Sequence, residues 1–335
     1  MLNQTNITIL AIESSCDDTS VAVINNGKVL SNLVAGQQVH EQYGGVVPEL
    51  ASRAHQQNIV PLVDVAIKKA GITPTQLSAV AFTAGPGLIG SLMVGCSFAK
   101  GLALSLHVPL ITVHHMQAHI LAHFIDDPKP EFPFLCLTVS GGHTQLVKLT
   151  NYFEHEVIGK TIDDAAGEAF DKAAKILGLP YPGGPLIDKY AKDGNPLAFE
   201  FPISNMPDLD YSFSGLKTSF LYFIQKQVAQ NPDFISQNLN DICASIQHAI
   251  IKQLMKKLIV AAKQTHIKQI ALAGGVSANS ALRLALETEG KKRGWKTFIP
   301  DFQYCTDNAG MIAMAAHFKY LAGDFATQET APFAR

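Results

Sequence analysis

Two histidines four residues apart, His115 and His119, stand in the run His114-His115-Met116-Gln117-Ala118-His119. On a helix, residues i and i+4 share a face, so both imidazoles can reach one cation. His123 extends the stripe and offers an alternative ligand set. The competing reading is a polar helix face that binds nothing, and spacing alone does not choose between them. A zinc-protease reading needs a general-base carboxylate after the first histidine, and Met116 stands there instead. Asp307 tips the balance. It lies near the start of a later helix pattern, where an aspartate ordinarily caps the helix. Taken with the histidine pair, it makes a two-histidine, one-carboxylate set with positions left open for ligand oxygens.

Ser140-Gly141-Gly142-His143 and Gly274-Gly275 each follow an apolar run. Singly, such glycine pairs are ordinary tight turns. Together they read as a phosphate loop and an adenosine loop, with Asn279 placed either to meet a nucleoside or to begin a helix. Asp163 opens an expected helix over 163–177, and Asp164, Glu168 and Asp171 share one of its faces. An acidic face is commonly just solvated. Asp171 is the candidate acceptor for a ribose hydroxyl, Gly183-Gly184 permits close approach of a ligand, and Asp188 follows on the next helix. Ser214, in Tyr211-Ser212-Phe213-Ser214-Gly215-Leu216-Lys217, lacks the GxSxG frame of a nucleophile elbow. The basic residues Lys252, Lys256 and Lys257, and the run from Lys291 to Lys296, read as solvated faces before nucleic-acid sites.

The elements that must position these residues repeat. The run 7–12, the turn Glu13 to Thr19, and the run 21–24 form a strand, a small polar turn and a strand. The segments 134–139, 140–144 and 145–149 have the same plan. A strand at 79–82 enters Gly85-Pro86-Gly87 and a helix to about 104. A strand at 269–272 enters Gly274-Gly275 and a helix from about 278. A strand at 110–113 leads to the His115 helix, and one at 296–299 leads to a helix containing Asp307. Three matched features in one order imply an internal duplication. The expected halves are 1–130 and 131–335, divided at Asp126-Asp127-Pro128-Lys129-Pro130, with an insertion at about 158–240. Ile242, Ile246, Ile250, Leu254 and Leu258 mark a long amphipathic helix. Alternating strands and helices with glycine turns imply α/β halves whose ligands sit at the carboxyl ends of the strands. This is the arrangement of the actin-like ATPase superfamily.

Composition narrows the class. The 335 residues are 47% hydrophobic and 16% charged, enough for two folded domains. Net charge is −2, which excludes a uniformly basic nucleic-acid coat. The five cysteines form no CxxC pair, which argues against a disulfide framework or zinc knuckle and for a reducing compartment. The N-terminus shows no secretory signal. The uncharged stretch 71–99 holds two prolines and several glycines, and reads as strand, turn and close-packed helix, not a membrane span.

Five of these motifs, in order, resemble the TsaD family, with KEOPS-subunit relatives and an older glycoprotease name. They are Glu13-Ser14-Ser15-Cys16-Asp17-Asp18-Thr19, His115 to His119, Val139 to Thr144, Tyr211 to Thr218, and Ala273 to Val276 with Asn279. The resemblance spans almost the whole chain. It implies an actin-like ATPase (ASKHA) fold, α/β, with two duplicated RNase H-like halves around a nucleotide cleft. It implies transfer of the threonylcarbamoyl group from threonylcarbamoyl-AMP to N6 of the adenosine 3′ of the anticodon, in tRNAs reading codons that start with A. Carried over by motif, His115, His119 and Asp307 correspond to ligands of one divalent ion, iron first and zinc as the alternative. Thr138, Val139, Ser140, Gly141 and Gly142 correspond to the loop on the threonylcarbamoyl and phosphate parts. Asp171, Gly184, Asp188 and Asn279 correspond to adenosine and ribose contacts, and Asp17 to an activity-bearing position. Implied partners are tRNA, a TsaB-like paralogue and a TsaE-like ATPase, in the cytoplasm, with no membrane or DNA. Gln117 departs from the glutamate of many relatives, and His114 and His123 are additions. The rival readings are a zinc metalloprotease, an actin-like small-molecule kinase and a non-enzymatic ATP-binding scaffold.

Overall fold

The computed structural model describes residues 6–37, 40, 43 and 45–334. The leading residues 1–5, on which the expectation of no secretory signal rests, lie outside them. The chain forms two compact units: one runs to Lys129 and resumes at Asp301, and the other is Pro130–Pro300.

The first unit holds β1 (Thr8–Glu13), β2 (Thr19–Asn25), β3 (Lys28–Ala35), α1 (Pro48–Ala70), β4 (Ala79–Gly85), α2 (Ile89–Leu106), β5 (Leu110–His114) and α3 (His115–Leu121). The second holds β6 (Phe134–Val139), β7 (Thr144–Leu149), β8 (His155–Lys160), α4 (Ala166–Ile176), α5 (Gly183–Ala191), α6 (Ser214–Gln230), α7 (Phe234–Thr265), β9 (Gln269–Ala273), α8 (Ser280–Arg293) and β10 (Lys296–Phe298). The chain then returns to the first unit with α9 (Ala309–Leu321).

The two sheets have one plan, β3-β2-β1-β4-β5 and β8-β7-β6-β9-β10. In each, the first strand pairs antiparallel with the second and parallel with the fourth. The duplication expected from the order of elements is therefore present as topology, and the chain is an ASKHA-type α/β protein. The turn Asn26-Gly27 joins β2 to β3 with positive φ at both residues, as a two-residue hairpin of right-handed twist requires.

In the first unit, the strand period divides β1 between two faces. Leu10 and Ile12 pack with Val80 and Phe82 against Ile59 and Val63 of α1 and Cys96 and Ala99 of α2. Ile9, Ala11 and Glu13 are left for the opposite face, and α9 lies against β1, β2 and β3. α9 is buried on most sides, from Ala309 through Ala316, which suits a helix laid on a sheet and flanked by α3. The expected grouping of 131–335 differs here: the segment from Asp301 onward belongs with the first sheet, because that sheet needs α9 to cover its second face. α2 is 18 residues long and apolar enough to cross a membrane by length and composition, yet its Leu92, Cys96 and Ala99 form core beneath the sheet.

In the second unit, Ile242, Ile246, Ile250, Leu254 and Leu258 of α7 are all buried, as their spacing predicts. They pack with Tyr211, Phe213 and Phe220. The helix expected from Asp163 starts three residues later, at Ala166. Asp163 instead accepts hydrogen bonds from Phe213 N (2.8 Å) and Ser214 Oγ (2.7 Å), so it caps α6 from outside.

Gly274 shows why glycine stands after β9. Its φ of +84° and ψ of 167° lie in a region essentially restricted to glycine, and an added Cβ would fall 2.5 Å from Val139 O. Gly274→Ala is expected to cost about 2–4 kcal/mol through backbone strain and overpacking. Urea unfolding measures this, and an unchanged midpoint would show that the turn relaxes freely.

Candidate functional site

The candidate metal group belongs to the first unit. β5 ends at His114 and α3 begins at once with His115, so His115 and His119 occupy successive turns of one helix. Their rings meet edge to face, with centroids 4.7 Å apart. Asp307 Oδ1 lies 3.4 Å from His115 Nε2 and 3.1 Å from His119 Nε2. The three ligand atoms all fall within 4.8 Å of one another. Among the described residues this is the one such group, and His123, on the following 3-10 turn, is not part of it.

Asp307 is not inside a helix, as the sequence suggested. It sits in the turn before α9, and the capping role passes to Asn308, whose Oδ1 accepts from Met311 N (3.0 Å). Two strand residues take the neighbouring amides: Ser20 Oγ accepts from Ala309 N (2.7 Å) and Asn32 Oδ1 from Gly310 N (3.0 Å). The first turn of α9 is thereby pinned to β2 and β3, and Asp307 is freed to face α3.

Glu13 is the last residue of β1, where its sequence context marks only a polar turn. It is fully buried. Its Oε1 accepts from Ser15 N (2.5 Å), and its Oε2 accepts from Thr83 Oγ1 (2.6 Å) and lies 3.1 Å from His115 Nδ1. Ser15 Oγ is also 3.2 Å from that nitrogen. By contrast, His119 Nδ1 is buried with no hydrogen-bond partner among the described residues.

These charges act on one another. Burial alone disfavours a charged His115, but Asp307 and Glu13 outweigh it and hold the imidazole well above its ordinary value. Burial likewise pushes Asp307 and Glu13 up, and the attraction and hydrogen bonds of His115 bring both below the usual carboxylate range. In the next turn, burial together with the Asp17, Asp307 and Glu13 charges lifts Asp18 to about 7.

That turn is anchored through His55 of α1, which is fully buried. His55 Nε2 is 3.0 Å from Cys16 O, and Nδ1 is 2.8 Å from Thr19 Oγ1. A carbonyl only accepts, so Nε2 carries the hydrogen. Burial keeps the ring neutral, so Thr19 donates to Nδ1. Nothing in the sequence links residue 55 to this turn.

The second unit gathers the remaining candidates by its own register. Thr138 of β6 pairs opposite Ala273 of β9, so the loops 140–143 and 274–278 leave the same end of the sheet. Ser140 and His143 close a turn on themselves, through Ser140 N to His143 O (2.8 Å) and His143 N to Ser140 Oγ (3.1 Å). Gly141 and Gly142 stay exposed. The side chains of Thr138 and Val139 are fully buried within the strand. Asp171 Oδ1 accepts from the amides of Gly183 (2.9 Å) and Gly184 (3.1 Å) at the start of α5. Asp188 takes Ser280 Oγ (2.7 Å) and Ser280 N (3.2 Å) at the start of α8. Asn279 caps α8, accepting from Leu282 N (2.9 Å), while its amide donates to Gln247 Oε1 (2.6 Å). Asp171 of α4 thus meets Gly184 at the start of α5, Asp188 follows on α5, and the Asp188–Ser280 contact brings Asn279 beside it.

The donor set fits a divalent transition metal: two imidazole nitrogens and one carboxylate oxygen converge, with no fourth ligand in the group among the described residues. Comparison with known proteins gives the family. The model of the family described as TsaD, tRNA N6-adenosine threonylcarbamoyltransferase, matches residues 28–314. A protein of that name from Cytophaga hutchinsonii is 61% identical over 326 residues, covering 97% of this chain and 95% of its own. One from Christiangramia forsetii is 64% identical over 323 residues, covering 96% and 95%. Among solved structures, T. kodakarensis HypF superposes with a TM-score of 0.64 at 15% identity, over 97% of this chain and 49% of that one, which speaks for the fold alone.

The raised His115 value carries a sign. At neutral pH the metal-free ring holds a second proton, which a cation at Nε2 must displace. Zinc titration at pH 7 is expected to release about one proton from this group. Calorimetry in two buffers of different ionisation enthalpy reads it, and identical heats in both would contradict a protonated His115.

Proposed function

The chain belongs to the TsaD family and is a tRNA N6-adenosine threonylcarbamoyltransferase; we propose that His115, His119 and Asp307 hold a metal ion that assists the transfer and that the chain's glycine loops bind its substrate. The observation that supports this is the convergence of His115, His119 and Asp307 on one point. In the reaction, the N6 amine of the tRNA adenosine attacks the carbamoyl carbon of threonylcarbamoyl-AMP. A C–N bond forms, the C–O bond to the AMP phosphate breaks, and AMP leaves with the bonding pair. The acyl phosphate is already activated, so no protein nucleophile is required. A bound divalent ion supplies Lewis-acid stabilisation of charge on the substrate oxygens. We assign iron to the site, with zinc as the alternative that the same donors accept.

Each protein group has a role in this reading. His115, His119 and Asp307 hold the ion. The segment Thr138, Val139, Ser140, Gly141 and Gly142 is the loop for the carbamoyl and phosphate parts, and the exposed amides of Gly141 and Gly142 suit phosphate oxygens. Asp171, Gly184, Asp188 and Asn279 serve the ribose and adenine of the nucleotide. Asp17 receives the amine proton. Asp18 is the second reading for that role, because a carboxyl near 7 is matched to proton transfer at neutral pH. A TsaB-like paralogue and a TsaE-like ATPase complete the system in the cytoplasm, where tRNA is found. The outward Ile89, Met93 and Leu104 of α2 give an apolar surface for such a partner.

Two measurements test this. Cells depleted of the protein are expected to lose threonylcarbamoyladenosine from tRNA, by nucleoside mass spectrometry, and to regain it with wild type but not with His115→Ala or Asp307→Ala. Restoration by both variants would remove the metal from the mechanism, and no loss on depletion would favour a small-molecule kinase. In vitro, the pH profile of transfer separates the two bases. Asp17→Asn is expected to cost about 100-fold or more in rate if Asp17 takes the proton. If Asp18 does, Asp18→Asn removes the acidic limb near pH 7 instead.

A further inference from the structure

We propose that Glu13 is a positioning residue for the metal group: its buried carboxylate fixes the tautomer and orientation of His115, leaving Nε2 as the ligand atom. The inference rests on reading His115, His119 and Asp307 as metal ligands, and concerns what makes one of them a ligand.

Glu13 Oε2 lies 3.1 Å from His115 Nδ1, while His115 Nε2 points at Asp307. A carboxylate only accepts, so Nδ1 carries the hydrogen and the Nε2 lone pair is the one left for a cation. The carboxylate is itself immobile. Ser15 N holds Oε1 and Thr83 Oγ1 holds Oε2, on a strand residue with no solvent exposure. Register explains why these groups meet. Ile12 pairs with Phe82, so the following residues Glu13 and Thr83 turn to the same face of adjacent parallel strands, the face that carries α3 and α9. A histidine ligand oriented by a carboxylate on its other nitrogen is a recurrent device, and removing the carboxylate commonly lowers metal affinity about 10–100-fold.

The two histidines are therefore unequal. His115 has its remote nitrogen bonded to a charge, whereas that of His119 is buried without a partner among the described residues. A carboxylate partner makes the imidazole a stronger donor. The structure assigns His115 as the ligand whose geometry is specified by hydrogen bonds, and His119 as the one placed by packing on its helix.

The experiment uses the full chain, stripped of metal and titrated with cobalt(II) against a chromophoric chelator at fixed pH, with ligand-field absorption recorded at saturation. For Glu13→Gln, which keeps size but loses the charge, affinity is expected to fall about 10–100-fold and the cobalt bands to change shape. Thr83→Val, nearly isosteric and milder, is expected to fall about threefold or more and serves should Glu13→Gln not fold. Wild-type affinity and wild-type bands in a folded Glu13→Gln, or in Thr83→Val when Glu13→Gln does not fold, would overturn the role of Glu13. Weaker binding with unchanged bands would reduce Glu13 to a structural residue, and also overturns it. His115→Ala and Asp307→Ala keep the premise separate. If they bind cobalt as wild type does, the metal reading fails. If they do not, while Glu13→Gln binds normally, only the positioning role fails.

Discussion

A carboxylate at the buried end of β1 is the constraint on which the first unit turns. Glu13 sits in a strand without solvent exposure, where an unmatched charge would cost far more than any neighbouring contact returns. The chain meets that cost locally and at long range at once. The amide two residues on and a threonine on the next parallel strand satisfy the oxygens, and the imidazole of His115 supplies the countercharge. Asp307 then adds a second negative group on the far side of the same ring. Two anions around one imidazole make an environment that favours positive charge, which is the electrostatic definition of a cation site.

The rest of the unit serves that balance. α9 must lie on the sheet for Asp307 to arrive, and its first turn is tied down by Ser20 and Asn32 from two different strands. α1 contributes through His55, which grips the turn bearing Asp17 and Asp18. The second unit spends its carboxylates differently. Asp163, Asp171 and Asp188 each close the start of a helix, α6, α5 and α8 in turn, and so fix the loops around them.

Much of this was legible in the residues. Apolar runs ending in small polar turns marked β1, β4, β6 and β9, and their repeated order revealed the duplicated topology before any pairing was known. The i, i+4 spacing of His115 and His119 holds on α3, and Asp307 does join them. What escaped was set by contacts far apart in the chain. Glu13 reads as a strand terminator because its partners Thr83 and His115 lie 70 and 102 positions away. Asp163 reads as a first-turn helix residue because acids are common there, yet its partners are 49 to 51 positions on. The apolar pattern of α9 announces burial without saying under which sheet.

The return of the chain to its first unit has a consequence for synthesis. Folding on the ribosome proceeds from the N-terminus, domain by domain. The histidines emerge early, but their carboxylate partner follows the entire second unit, since Pro130–Pro300 intervenes. Until Asp307 and α9 are made, the first sheet has one bare face and two imidazoles without their third donor. The grouping of His115, His119 and Asp307 is therefore among the last features of this protein to be completed, and a chain truncated before Asp307 lacks its carboxylate.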